Sequence, residues 1–209
     1  MEAGEFEYTI ATEADRESVR DALAAYFYPE EPLTLAHRDG PAVTQDDMEH
    51  ALSFLATGTT VLAHSRTEGK LVGLSIGGLG GAAAEKGAVT VTTRKFADIV
   101  AFLECLNVRA YGEPNVTLSY HVHALAVHPM YRAHSIGRRL VEEQVALARA
   151  RWPTMSTIAV EATGPGSCRL MKRLGMRETA RLSFANYNDD VGEQIFLGSG
   201  EVVALEMKL

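Results

Sequence analysis

Two spacings of apolar side chains divide this chain into elements. Val19, Ala22, Leu23, Tyr26 and Phe27 recur at three- and four-residue steps, which places them on one face of a helix. Ahead of them Thr12-Glu-Ala-Asp15 carries a hydroxyl and an acid suited to the first free N–H groups, so a helix is expected over about residues 12–28, ended by Pro29. Glu30-Glu-Pro-Leu33 then reads as a turn. Met48, Ala51, Leu52 and Leu55 repeat the helical pattern behind a second cap, Thr44-Gln-Asp-Asp47, with Gly58 as the stop, and Phe96, Ile99, Val100, Leu103 and Leu106 repeat it over about residues 94–110. Runs at 7–11, 59–64 and 70–76 are β-forming, the last two joined as a hairpin across Gly69. Gly77-Gly78 and Gly80-Gly81 lead from it into a small-residue connection up to about Thr93. No Lys-Ser/Thr follows these glycines and no helix opens directly after them, which favours a flexible connection over a phosphate loop.

The passage at 120–140 organises the rest. Val116, Leu118, Tyr120 and Val122 alternate with Thr117, Ser119, His121 and His123, as in a strand with one apolar face, and Leu125 and Val127 extend it. Pro129 stops the ladder, and Ile136, Leu140, Val145 and Leu147 approximate a helical stripe. A strand feeding a helix N-terminus is a prepared anion site, because free N–H groups and the positive end of the helix dipole converge there; Arg132, Arg138 and Arg139 add charge. A strand at 156–161, a glycine-rich turn from Thr163 to Ser167, a short helix stopping at Gly175 and strands near 177–185 and 202–208 complete the chain. Alternating strands and helices without repeats or linkers predict a single α/β domain over residues 1–209 with a mixed sheet.

Composition narrows the function. The chain has 209 residues, 46% hydrophobic and 22% charged, enough for one well-cored domain. A formal net charge of −7 argues against a nucleic-acid binder and suits a cationic partner. The first ten residues are acidic without an apolar core, and no apolar run is long enough to span a bilayer, so neither a secretory signal nor membrane association is expected. Cys105 and Cys168 are too few for a disulfide scaffold, and a cytoplasmic location is the natural expectation.

Arg132-Ala-His-Ser-Ile-Gly137, between the central strand and its helix, resembles motif A of the GNAT acetyltransferase superfamily, R/Q-x-x-G-x-G/A, with Ser135 where the first glycine usually stands. The strand from His121 to His128 is similar to that of vertebrate arylalkylamine N-acetyltransferases. The stretch from Tyr26 to Leu33 resembles the F-x-x-D/E-E-P-L signature of their arthropod branch, and Phe184-Ala-Asn-Tyr187 its F-A-D-Y, with Asn186 in place of the acid. The resemblance implies an α/β GNAT fold: a mixed twisted β-sheet whose splayed central strand pair is flanked by helices. It implies acetyl-CoA as cosubstrate, its pyrophosphate at Arg132, Ala133, His134, Ser135, Ile136, Gly137 and Arg138 and its pantetheine along Leu125, Ala126 and Val127. It also implies a small-molecule arylalkylamine as partner, acetylated by direct attack in a ternary complex, with Tyr26, Phe27, Tyr28 and Phe184 around it. A monomer or weak homodimer without a metal is expected. Two functions compete: acetylation of a polyamine or amino-acid amine, which would call for an acidic tunnel, and a CoA-binding sensor without turnover, suggested by Ser135 and Met171.

An alkylammonium with a pKa of about 10 must lose a proton before it can attack a thioester. By resemblance Glu31 is the general base, although a Glu-Glu-Pro run also suits a solvated turn. His121 and His123, two apart on a strand, share a face and could relay the proton; they also read as packed side chains, or as two ligands of a zinc site that lacks a third. Thr163 and Ser167 stand where arthropod relatives carry serines proposed for acid–base steps, and both also suit helix capping. Met171 occupies the place of a proton-donating tyrosine, which a thioether cannot replace. Cys168 reads as packing, with an acetyl-cysteine intermediate as the alternative.

Overall fold

The computed structural model describes residues 4–80, 90–112 and 119–209, so most of the expected connection after Gly80, and the expected strand start at Val116 and Leu118, lie outside it. Seven strands form one sheet: β1 (Phe6–Ile10), β2 (Thr60–Ser65), β3 (Lys70–Leu79), β4 (Tyr120–Val127), β5 (Thr157–Ala162), β6 (Arg177–Ser183) and β7 (Glu201–Lys208). Their order is β1-β2-β3-β4-β5-β7-β6, and β4–β5 is the parallel pair. Among the described residues six α-helices accompany them: α1 (Arg16–Ala22), α2 (Pro32–Ala36), α3 (Gln45–Ser53), α4 (Arg94–Tyr111), α5 (Ile136–Arg151) and α6 (Pro165–Arg173).

Alternation along each strand sends neighbouring side chains to opposite layers. Leu62 and Leu74 pack with Val19 and Leu23 of the α1 region and Leu52 of α3, whereas Val61, Ala63 and Val72 meet Ile136 and Leu140 of α5. In β7, Val202 and Ala204 pack on Phe102 and Leu106 of α4, and Val203 and Leu205 face Val141 of α5 and Met171 of α6. The sheet is therefore buried on both faces. Each fully enclosed Leu, Val or Phe contributes about 1.5–3 kcal/mol.

A 3-10 turn over Glu13–Asp15 leads into α1, and at its start Asp15 accepts from the N–H of Thr12 at 2.8 Å, as the Thr12–Asp15 pattern predicts. Pro29 does not end it. The chain continues as a π-helical stretch over Leu23–Phe27 and a 3-10 turn over Tyr28–Glu30, since proline at the second residue of a 3-10 turn lacks only an N–H that would be free anyway. The expected turn at Glu30–Leu33 contains a helix start: Pro32 opens α2, and the Glu31 side chain caps it by accepting from the N–H of Thr34 at 2.6 Å.

Two irregularities shape the centre of the sheet. Ile76 pairs with Ala124 and Gly77 with Val122, so His123 is an extra residue, a β-bulge in β4. Gly77 and Gly78, expected to begin a loop, belong to β3 instead. A Cβ on Gly77 would meet the Tyr120 hydroxyl and lie 2.6 Å from Oε1 of Gln144, and one on Gly78 would meet the ring of Phe54. Glycine is required here by what crosses the strand. Gln144 in turn donates to the carbonyls of Thr59 (3.1 Å) and Ser75 (2.8 Å), which ties α5 to β3 through wholly buried polar groups. Gly77→Ala should therefore lower stability by about 1–3 kcal/mol, as overpacking does. An unchanged urea midpoint would show that Tyr120 and Gln144 can move aside freely.

Candidate active site

Among the described residues, strands β4 and β5 pair only at Tyr120–Ile158 and His121–Ala159. Beyond that point they diverge, and the gap opens into a pocket of about 740 Å3. Its walls are Val122 to Val127 of β4, Val160 to Thr163 of β5 and its exit, α3, α4, the start of α6 and the aromatic stretch Tyr26–Tyr28 that follows α1. A second groove of about 880 Å3 runs along α5, past Arg138, Val141 and Val145 on one side and Leu170 and Arg173 of α6 on the other. The two meet at Val127, Arg132, Ala133, Gly137 and Leu170.

The loop between them has a distinct backbone. Ala133 (φ 67°) and Ser135 (φ 60°) are left-handed, a conformation that costs an L-residue about 1–2 kcal/mol. Ser135 thus takes the conformation a glycine would adopt more easily. Its side chain makes no cap hydrogen bond, which leaves the N-terminus of α5 open to the groove. Ser135, Ile136, Gly137 and Arg138 line that groove, as do Arg132 and Ala133. His134 does not: its ring packs on Phe6 (6.1 Å between centroids), because the left-handed residues on either side turn it outward. Leu125, Ala126 and Val127 line the pocket. Arg132 donates to Glu30 at 2.9 Å, an exposed pair that links this loop to the turn carrying Glu31.

Tyr26, Phe27 and Tyr28 reach the pocket, joined by Phe54 and Phe96. Phe184 does not, against expectation. It lies in the core between Phe102 (5.8 Å) and Phe196 (5.5 Å), its ring over Gly200, where no side chain intervenes. The motif that named it is a packing motif here.

Glu31 is 8% exposed and is no solvated turn residue. One carboxylate oxygen caps α2, and the other, Oε1, is buried on the pocket wall without a partner among the described residues. Asp47 lies nearby and accepts from the Tyr28 hydroxyl at 3.1 Å. Burial, reinforced by the charges of Glu31 and Asp46 and opposed by that hydrogen bond, raises the Asp47 pKa to about 6.

The histidines share a face, their rings stacked at 6.0 Å, but not a role. His123, the bulge residue, opens on the pocket beside Phe54, 4.7 Å between centroids. Its side chain is exposed to that pocket, and desolvation by the walls around it, with the charge on His121, holds it below the ordinary imidazole pKa. His121 lies behind it. Its Nδ1 is 3.0 Å from Oε1 of Glu161 on β5, and its Nε2 2.8 Å from the Ser119 hydroxyl. Burial alone would depress the His121 pKa, but Glu161 overrides it and raises the value; reciprocally His121 holds Glu161 below the usual carboxylate range. Glu161 was not singled out in the sequence, though a lone acid in the apolar run of β5 is a usable signal. Asp47 was masked by its place in a helix cap.

Thr163 and Ser167 both line the pocket. Neither caps α6: Gly164 holds that position, and the Ser167 hydroxyl donates back to its carbonyl at 2.9 Å. Met171 is buried, and Cys168 is half-buried against the same core. Among the described residues no three His, Cys, Asp or Glu side chains gather as metal ligands, and no helix is long and apolar enough to cross a membrane.

A parallel strand pair splayed beside an open helix N-terminus is the arrangement that the resemblance to GNAT acetyltransferases implies. The Acetyltransferase (GNAT) family matches residues 17–176, and the chain belongs to that family. It is an N-acetyltransferase with the α/β GNAT fold. The solved structure of mosquito arylalkylamine N-acetyltransferase like 5b is 32% identical, with 98% of this chain and 100% of that one covered and a TM-score of 0.84. An agmatine N-acetyltransferase, solved as a single-residue mutant in its apo form, is 25% identical over 99% of this chain and 100% of its own, with a TM-score of 0.83. The polyamine N-acetyltransferase of Drosophila melanogaster, at 24% identity, 98% and 100% coverage and a TM-score of 0.81, shares the fold. No curated protein matches significantly.

The His121–Glu161 pair makes stability depend on pH in both directions. Because the His121 pKa is raised, its contribution is complete below about 6.5 and is lost as pH rises through the folded value; the Glu161 share is present above about 4.5 and lost as pH falls toward about 2. NMR titration should find His121 protonated above pH 6.5 while His123 stays neutral from about pH 5 to 8, and Glu161→Gln should bring His121 down. Two histidines titrating together in the wild type would contradict this assignment.

Proposed function

We propose that the chain transfers the acetyl group of acetyl-CoA to the primary amine of an arylalkylamine of the dopamine, tyramine or serotonin type, by direct attack in a ternary complex. The observation that carries this reading is Glu31, buried with one oxygen free on a wall shared with Tyr26, Phe27, Phe54 and Phe96. Aromatic side chains suit an aryl ring, and a carboxylate among them suits its ammonium. The similarity to the mosquito protein agrees with it.

The residues present fit acetyl-CoA, the acyl donor of this family. The uncapped start of α5 with Arg132 and Arg138 would hold the pyrophosphate, and the edge of β4 from Val122 to Val127, left unpaired by β5, offers backbone groups to the pantetheine amides. When bound, the cosubstrate supplies an acetyl group activated as a thioester. Glu31 removes the ammonium proton and so frees the nitrogen lone pair. His123, neutral and open to the pocket, can accept a hydrogen bond from water or the amine there, while the positive charge is held behind it on His121 by Glu161. Ser167 and Thr163 offer hydroxyls on the β5 side.

A second reading has its own observation: Glu30, Glu31, Asp47 and Glu161 all line the pocket, which suits an aliphatic amine with a second cationic group, and an agmatine N-acetyltransferase is 25% identical. A panel of arylalkylamines, agmatine and polyamines assayed for thiol release separates the two. Binding of CoA without release for any amine would favour a sensor.

Glu31→Gln should lower turnover by about 10²-fold or more, the usual scale of general-base catalysis, while Glu30→Gln has little effect. Glutamine keeps an acceptor for the Thr34 N–H, so the loss reports charge and not the cap of α2. Equal, small losses in both would remove Glu31 from the reaction. At Gly137 a Cβ would already stand 3.5 Å from Leu170 and 3.7 Å from Val127. Gly137→Val should weaken CoA binding at least tenfold by calorimetry, and unchanged affinity would move the pyrophosphate elsewhere.

A further inference from the structure

The two acids that open α3 have different fates. Asp46 is fully engaged: its carboxylate accepts from the N–H groups of Thr92 and Thr93, each at 2.8 Å, and from the Thr93 hydroxyl at 2.8 Å. Asp47 turns into the pocket, where Tyr28 is the one donor to its side chain among the described residues. On the same pocket wall Glu31, more than nine-tenths buried, presents Oε1 with no partner among the described residues. A buried acceptor without a donor costs about 1–3 kcal/mol, more if charged, and such an atom marks the place of an absent group. Lys95 cannot fill it. Its charge acts on both carboxylates, but its three N–H donors are spent on the carbonyls of Thr34, Gly40 and Ala42 at 2.8, 2.6 and 2.7 Å.

We infer that Glu31 and Asp47 form a two-carboxylate receptor for the protonated amine, in which Asp47 holds the ammonium and Glu31 takes its proton. An ammonium has three donors: one meets Oε1 of Glu31 and another the Asp47 oxygen that Tyr28 does not use. In the proton step R–NH3+ and the Glu31 carboxylate become R–NH2 and a neutral Glu31 carboxyl; one N–H bond breaks, one O–H bond forms, and Asp47 stays ionised. The two acids differ because Asp47 shares its charge with a phenol while Glu31 has an oxygen free. The groups facing Asp47 are Tyr28, Glu31, Asp46 and Lys95, the last the cation among them. Burial is the largest influence, and with these groups it keeps Asp47 partly protonated near pH 6, so amine binding should strengthen as pH rises through that value. The inference rests on the acetyltransferase reading and adds a recognition residue to it.

Calorimetry on the full chain saturated with CoA, with phenethylamine against 2-phenylethanol and agmatine against 4-guanidinobutanol, tests it. The wild type should prefer at least one amine over its alcohol tenfold or more, and Asp47→Asn should cut that preference about tenfold and abolish its rise through pH 6. In turnover, Asp47→Asn should raise the amine KM more than it lowers kcat, the reverse of Glu31→Gln. Preference for agmatine alone would overturn the arylalkylamine reading and leave the receptor standing. A wild type that does not discriminate amine from alcohol in either pair, or an Asp47→Asn variant with wild-type preference and only a lowered melting temperature, would overturn the receptor.

Discussion

Everything in this molecule that bears on chemistry depends on two strands ceasing to pair. After His121 and Ala159, β4 and β5 part, and the hydrogen-bonding edges that would have met are left facing a cleft. A sheet covered on both faces normally cannot tolerate such a gap in its middle, because unpaired backbone groups are costly away from solvent. Here the outer ladders hold the parted strands: β4 stays bonded to β3 as far as Val127, and β5 to β7 as far as Ala162. The bulge at His123 bends β4 at the point of parting. The cleft is thus framed by sheet on both sides and is a rigid feature of the fold.

Within that frame, charge is distributed by hydrogen-bond supply. Asp46, with donors from Thr44, Thr92 and Thr93 around it, is held well below the usual carboxylate range although burial opposes this; Asp47, one residue on, has one donor and is pushed up to about 6. His121 has a carboxylate and keeps its proton, while His123, against an aromatic ring, does not. Each contrast separates neighbours of the same chemistry. Different assignments of one residue type in one pocket let a site contain both acid and base at one pH.

The strand and helix order was legible because both faces of the sheet are covered and the periodicities are therefore strong. The parts that were not legible share a cause: they depend on contacts distant in the chain. Glu31 as a cap required α2, five residues long and disguised by Glu-Glu-Pro. Phe184 belongs to the core because Gly200 and Phe196 come to it, which no local pattern announces. The asymmetry of His121 and His123 is set by Glu161, 40 residues from His121. The bulge did leave a trace: Tyr120 and Val122 face α5, and so do Leu125 and Val127, so the apolar parity shifts by one across His123. A three-residue step in a two-residue pattern is the signature of an inserted residue.

The left-handed residues Ala133 and Ser135 bear on kinetics. Their conformation is fixed during folding, at the expense of stability, and is not deferred until a ligand arrives. A phosphate group bound at α5, as proposed, would meet donors already in place and have no rearrangement to wait for. Its rate of capture would then be left to diffusion and to the arginines along the groove, and hence to the ionic strength of the solution.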